Sequence, residues 1–372
     1  MPEIASSFGV GLSAVQQTLT AYMVPFAAMT LWHGAISDAF GRRRVVLVLL
    51  GLFVVASAGC AIAPNFGALL FCRALQGLTA GAGMVIGRAI IRDVIQGAEA
   101  QRMMALVTII FAVAPAVAPV IGGWLHHWFG WRSVFVFMTV FAAAVGWWCW
   151  RALPETLSVE RRQPFHPAYL ARAYWSVWTN LPFVCICLAS ATGFAGLFIY
   201  VVSAPVFLMR HLHVSETDFL WLFGPVTLGL VGGATLSGRV AGRIRPIKTV
   251  VLGCGIMAVA SGLNLLLNAY MSPCVPWSVV PIFVYTLGMS LSLPSLTIMA
   301  LDLFPKQRGL AASCQSFIQA GGNAIISVLA PLVWGTTMSL AVTQTVFLGF
   351  CAVGVTLYRW RMAKMTAEPR CS

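Results

Sequence analysis

Eleven stretches of this chain are apolar over about the length a helix needs to cross a membrane, and they leave room for little other architecture. They run over 15–35, 45–63, 67–91, 103–125, 131–152, 181–208, 217–238, 248–270, 276–301, 310–334 and 338–358. A hydrocarbon core of about 30 Å takes roughly 20 residues of helix. Only 9% of the residues are charged, against about 25% in soluble domains. The joints carry turn chemistry, as in Pro64-Asn65-Phe66-Gly67 and Ser272-Pro273. The expected class is an all-α membrane protein, with its length counted in spans.

The formal net charge of +13 would point to nucleic acid in a soluble protein. Here it is read connection by connection. One set of alternate connections, with the tail, holds nineteen basic residues: Arg42, Arg43, Arg44, Arg92, Arg102, Arg151, Arg161, Arg162, Arg172, Arg239, Arg243, Arg245, Lys248, Lys306, Arg308, Arg359, Arg361, Lys364 and Arg370. The other set holds Arg132 and Arg210, and Arg73 and Arg88 fall inside spans. That asymmetry is the positive-inside rule. It assigns the basic excess to topology rather than to nucleic acid. It also puts the C-terminus in the cytoplasm and, with an odd number of spans, the N-terminus outside.

The ten cysteines lie mostly within spans and form no CxxC pair, so they read as small packing residues. The six histidines are scattered, and no metal site is expected. A membrane enzyme would need a nucleophile–base pair or a metal cluster, and neither is legible.

The chain divides into halves. Expected boundaries are 1–152 for an N-terminal bundle of five spans, 153–180 for a cytoplasmic connection, 181–358 for a C-terminal bundle of six spans, and 359–372 for a cytoplasmic tail. Each half carries a basic turn at a matching place: GAISDAFGRRR (Gly34 to Arg44) and, 204 residues later, GRVAGRIR (Gly238 to Arg245). Parallel repeats of this kind occur in transporters.

Three groups of residues are candidates for function. In the first turn, Gly34 and Gly41 allow close approach of neighbouring helices. Asp38 and Arg42 or Arg43 supply opposite charges, an ion pair that can hold in one state and release in another. In APAVAPVIGGW, Pro115, Pro119 and Gly123 are spaced by four and share one helical face, beside Gly122. The prolines bend the helix and the glycines let another helix pack on the bent face. The third group is polar at span depth: Tyr22, Arg73, Gln76, Tyr200, Asn264, Gln315, Gln319 and Asn323, the candidates for a substrate cavity. Arg73 lies about 9 Å deep at ~1.5 Å per residue. It shares a face with Gln76, Gly77, Ala80 and Gly81. Two readings stay open for it, snorkelling to the interface and a paired functional charge. Arg88, near the other end, reads as a snorkelling residue. All ten acidic residues, Glu3, Asp38, Asp93, Glu99, Glu155, Glu160, Glu216, Asp218, Asp302 and Glu368, fall in loops or tails. No span offers Arg73 a carboxylate.

The G-x-x-x-D-x-x-G-R-R spacing of the first turn resembles the signature loop of the major facilitator superfamily. APAVAPVIGGW resembles the antiporter motif of its drug–proton antiporters, with Ala118 where Gly is preferred. PETLSVERRQPFH, ALQGLTAGAGMVIGRAIIRD, YMVPFAAMTLWHGAISDAFGRR and FPKQRGLAASCQSF resemble the Bcr/CflA drug-efflux subfamily over essentially the whole chain. Thr30, Pro25 and Ala39 depart from it. The resemblance implies a major facilitator fold with 11 of the usual 12 helices. It implies export of small amphipathic compounds by alternating access, driven by a proton gradient without a cofactor. A monomer in the bacterial cytoplasmic (inner) membrane, lipid around it and no catalytic residues, complete that expectation. In the family an acidic residue commonly sits in the first span shortly before a Leu-Pro-x-Ile turn. This chain opens on that turn at Met1-Pro2-Glu3-Ile4, so the expected partner of Arg73 lies on a helix upstream. An exporter of sugars or metabolites, and a non-functional remnant, are the alternatives.

Overall fold

The computed structural model describes residues 2–214 and 220–367, and these are almost entirely helical. Glu216, Asp218, Glu368 and Arg370 lie outside the described residues, as do the side chains of Pro115 and Pro119. In chain order the helices are α1 (Pro2–Phe8), α2 (Leu12–Phe40), α3 (Arg42–Ala61), α4 (Phe66–Ala80), α5 (Ala82–Val94), α6 (Gly97–Phe129) and α7 (Trp131–Ala152). They continue with α8 (Pro167–Thr179), α9 (Leu181–Val202), α10 (Leu220–Val240), α11 (Pro246–Tyr270), α12 (Val280–Asp302), α13 (Arg308–Leu329) and α14 (Thr337–Ala367).

Among the described residues, ten helical stretches are long and apolar enough to cross a membrane, with α4 and α5 counted as one. They match ten of the eleven apolar segments. The eleventh segment is α2, long enough at 29 residues but too polar to stand among the ten. Several of its polar residues are sequestered in protein: Thr18, Thr30, His33 and Ser37 are buried, while Gln17 and Thr20 are exposed. A helix can carry such groups at membrane depth only when neighbours cover them.

Local chemistry sets the helix ends. The Asn65 side chain accepts from the Ala68 amide at 2.8 Å and starts α4. Asn180 does the same for α9, accepting from Phe183 at 3.0 Å with Pro182 in the first turn. The long connection 153–180 is partly helical. The Tyr174 hydroxyl on α8 donates to the Leu31 carbonyl of α2 at 2.8 Å. Burial pushes that phenol well above its ordinary pKa, so it stays a donor.

The chain forms two compact units. The first comprises Met1–Val94, Val117–Tyr174 and Phe304–Phe317; the second comprises Ile95–Ala116, Trp175–Leu303 and Ile318–Ser372. Helices α6, α8 and α13 therefore each change unit part-way along. Within the first unit, α2 packs on α4 and α5, and α3 packs on α4 and α7. Within the second, α12 is the most buried span, ringed by α9, α10 and α11, and α14 packs on α9 and α11. Outward faces are apolar, as on α7, where Phe141, Trp147 and Trp148 are exposed. That is the reverse of a soluble helix and fits a lipid surround, where close packing rather than water exclusion joins helices.

Candidate functional site

The turn between α2 and α3 needs a glycine. Gly41 has φ +94°, and a Cβ there would crowd Glu155 Oε2 and Arg162 Nη2. This turn aims the last turn of α2 and the first of α3 into a buried cluster of charges. Arg42 Nη1 lies 2.6 Å from Asp38 Oδ1, and Arg42 Nε donates to Asp93 Oδ2 at 3.1 Å. Arg308 Nη1 donates to the other oxygen of Asp93, also at 3.1 Å. Asp38 further accepts from the Gly309 and Leu310 amides, at 3.2 and 2.9 Å. Those are free donors in the first turn of α13, so the carboxylate caps that helix and meets the positive end of its dipole. Asp38 is 3% exposed and Arg42 1%. Two cations and two anions close on one another, which is what permits charge at this depth of burial.

A second tier orients the first. The Arg42 amide donates to Glu155 Oε1 at 2.8 Å, and the Ser37 hydroxyl accepts from the Arg42 guanidinium. The Gln163 amide donates to the Asp38 carbonyl at 2.9 Å, and the Gly34 amide donates to Ser313 Oγ at 2.8 Å. A Cβ on Gly34 would collide with the Gly309 carbonyl, so the α2–α13 crossing exists only with glycine there.

Of the turn candidates, Gly34, Asp38, Gly41 and Arg42 come together. Arg43 does not: it is turned away and donates to the Trp150 carbonyl at 2.7 Å. Asp93, Glu155, Arg308 and Ser313 were missed as members. They stand in the motif stretches GRAIIRD, PETLSVERR and FPKQRGLAAS, but no spacing within one stretch announces a partner in another.

The span candidates fall into separate sets. Arg73 Nη1 donates to Gln76 Oε1 at 2.8 Å, its Nε donates to the Thr18 carbonyl at 3.2 Å, and its guanidinium lies 4.5 Å from the Tyr22 ring centroid. Gln76 is fully buried and donates to Ser57 Oγ at 2.8 Å. These partners are neutral: dipoles and a π-face take the place of the carboxylate that sequence reasoning looked for. Tyr200 and Asn264 also meet, but in the core of the second unit. Asn264 Nδ2 donates to the Tyr200 hydroxyl and to Gln344 Oε1, each at 2.8 Å. Gln315, Gln319 and Asn323 follow one another at four-residue spacing along α13. Gln315 is buried in the first unit, while Gln319 and Asn323 belong to the second and are half-buried.

Helix α6 runs unbroken through Pro115 and Pro119. Among the described residues, a side chain added at Gly122 or Gly123 would meet nothing within 4 Å, so they show no close helix contact at these two glycines. Among the described residues no group of three or more His, Cys, Asp or Glu is placed to hold a metal.

Comparison with known proteins carries the chain further. The family model described as Major Facilitator Superfamily matches residues 1–327. The chain is 28% identical over 365 residues to a chloramphenicol resistance protein of Pseudomonas aeruginosa, covering 95% of this chain and 85% of that one. It is 26% identical over 357 residues to a bicyclomycin resistance protein homolog of Haemophilus influenzae, covering 94% and 87%. Among solved structures, a bacterial homologue of the iron transporter ferroportin in its outward-facing state superposes with a TM-score of 0.77. The identity there is 14%, over 95% of this chain and 91% of that one, which is a likeness of fold. With its buried signature-loop cluster and helical units, this chain belongs to the Major Facilitator Superfamily.

Proposed function

We propose that the protein exports small amphipathic compounds, antibiotics among them, across the bacterial cytoplasmic membrane by alternating access, drawing on the proton gradient and using no cofactor. The observation that carries this reading is the chain-long similarity to proteins named for chloramphenicol and bicyclomycin resistance. The nineteen-to-two split of basic residues supports a cytoplasmic C-terminus and a cytoplasmic 153–180 connection. Bundles of 1–152 and 181–358, working as a monomer, follow from the same plan.

In this reading the Asp38–Arg42–Asp93–Arg308 cluster is the cytoplasmic gate. Formed, it holds the α13 start on the α2 end. Released, it returns four charges to water, so the two states differ little in net energy although each contact is strong. Arg73, with Tyr22 and Gln76, supplies a fixed positive charge beside the substrate path. Tyr200, Asn264, Gln315, Gln319 and Asn323 are the other polar candidates of that path, and Pro115, Pro119, Gly122 and Gly123 shape the helix that seals it.

The test is expression in a bacterium stripped of its own efflux pumps, with chloramphenicol accumulation measured as the proton gradient is collapsed. Reduced accumulation that collapse reverses supports the reading. Accumulation equal to that of an empty-vector control, with the protein inserted, rejects it.

A further inference from the structure

The start of α11 and the end of α14 are neighbours in the second unit. Between them opens a cavity of about 680 Å³ whose lining includes Ile247, Tyr358, Arg359 and Trp360. Basic residues crowd this end of the unit, six of them being Arg243, Arg245 and Lys248 around the α11 start and Arg359, Arg361 and Lys364 on α14. Arg361 and Lys364 are gathered over one ring, 5.6 and 4.0 Å from the Trp360 centroid. Among the described residues none of the six pairs with a carboxylate, unlike Arg42 and Arg308. The nearby acidic group is Asp302, felt by Tyr358.

Arg245 sits at the α11 cap with extended backbone and no side-chain capping bond, and Pro246 follows. Pro246 carries no N–H and the Lys248 amide donates to the Arg245 carbonyl at 2.9 Å, so the cations rather than a row of free amides make this end positive. Leading away from it, Val251 and Leu252 on α11 and Val353 and Leu357 on α14 are exposed apolar residues. Thr356, Met362 and Ala363 complete the lining, so among the described residues Arg359 is the one charge in an otherwise largely apolar wall. An apolar recess with an arginine in its wall and further cations beside it matches an amphiphile rather than a free ion.

We propose that this recess holds the headgroup phosphate of an anionic phospholipid, with the acyl chains laid along α11 and α14. Arg359 in the cavity wall meets the phosphate. Arg361 and Lys364, steadied on Trp360, surround it, and Tyr358 and Trp360 sit at the interface where amphipathic rings belong.

Native mass spectrometry of the full chain in mild detergent, titrated with phosphatidylglycerol, tests this. The expected result is one retained lipid. R359Q/R361Q/K364Q should weaken its binding at least tenfold. R44Q/R161Q/R172Q, which removes the same charge from the first unit, should leave it within twofold. Phosphatidylcholine should not be retained, and millimolar inorganic phosphate should not displace the bound lipid. Equal losses in the two triple variants would reduce the site to a diffuse basic belt. Equal retention of phosphatidylcholine would reduce it to an apolar groove, and displacement by phosphate would make it an ion site. Each of these overturns the proposal. The single R359Q variant, with little risk to folding, should by itself weaken phosphatidylglycerol several-fold, and no change there also rejects it.

Discussion

The two matching basic turns have the same scaffold and opposite electrostatics. At the end of α2, Gly34 lies against the start of α13; at the end of α10, Gly238 lies against the start of α6 near Arg102 and Ala105. Each crossing is stitched by a polar side chain: Ser313 accepts from the Gly34 amide, and Gln101 donates to Ser237 Oγ at 3.2 Å. The first turn then fills with buried charge. In the second, the residue 204 places after Asp38 is Gly242, with φ +81°, and the surrounding arginines face outward. A matched sequence position therefore repeats neither the backbone nor the function: Asp38 is still helical, whereas Gly242 is a turn residue beyond the end of α10. Asp38 with Arg42, and Asp93 bridging Arg42 to Arg308, are what turn a helix crossing into a charge-locked one.

The largest effect expected from this contrast is Asp38→Asn. It leaves Arg42 buried with one carboxylate fewer and turns one of the two acceptors that hold the first amides of α13 into a donor. Breaking a buried pair from one side costs about 3–5 kcal/mol. Thermal unfolding in detergent should move down by many degrees, and chloramphenicol export should be lost. Arg243→Gln in the second turn should leave both measurements unchanged. Equal behaviour of the two variants would erase the distinction.

Next comes Gly34→Ala against Gly238→Ala. The first drives a methyl into the Gly309 carbonyl, and overpacking of this kind costs roughly 1–3 kcal/mol or more. The second finds Ala105 Cβ at 3.8 Å, an ordinary contact. Lower yield and lower melting temperature are expected for the first only. Tolerance of alanine at Gly34 would mean that the α2–α13 contact is looser than its geometry.

A smaller effect separates the two arginines inside the spans. Arg73→Gln loses the Thr18, Gln76 and Tyr22 contacts together, and export should fall about tenfold, near 1.4 kcal/mol. Arg88→Gln should fall by less than about threefold on the same scale. Inversion of that order would remove Arg73 from the transport path. Smallest of all is Gly238→Ala taken alone, expected within about 0.5 kcal/mol of the parent in unfolding, as for most substitutions away from special features.

The fold was legible because a membrane makes one demand everywhere. Long uncharged runs must be helices, since no other segment satisfies its own backbone in hydrocarbon. Ten segments were confirmed by this rule. The α2 segment shows its limit, because its buried Thr and His side chains make it polar while its neighbours make it tolerable. The candidate site was only half legible. Gly34, Asp38, Gly41 and Arg42 sit close together in sequence, and their spacing announced a turn with opposite charges. Arg43 looked equivalent to Arg42, and only the direction of each side chain separated them.

By itself the sequence determined the class, the span count to within one, the two matching turns and the presence of an unusual arginine in a span. Periodicity and composition act locally, so they survive in a one-dimensional string. Tertiary structure alone decided who neutralises whom. Asp38 meets Leu310 across 272 positions and Asp93 meets Arg308 across 215, separations over which no pattern in the string points to a partner. It also decided that Arg73 is met by a ring, an amide and a carbonyl. Charge compensation depends on distance in space, and that is fixed only when the helices pack.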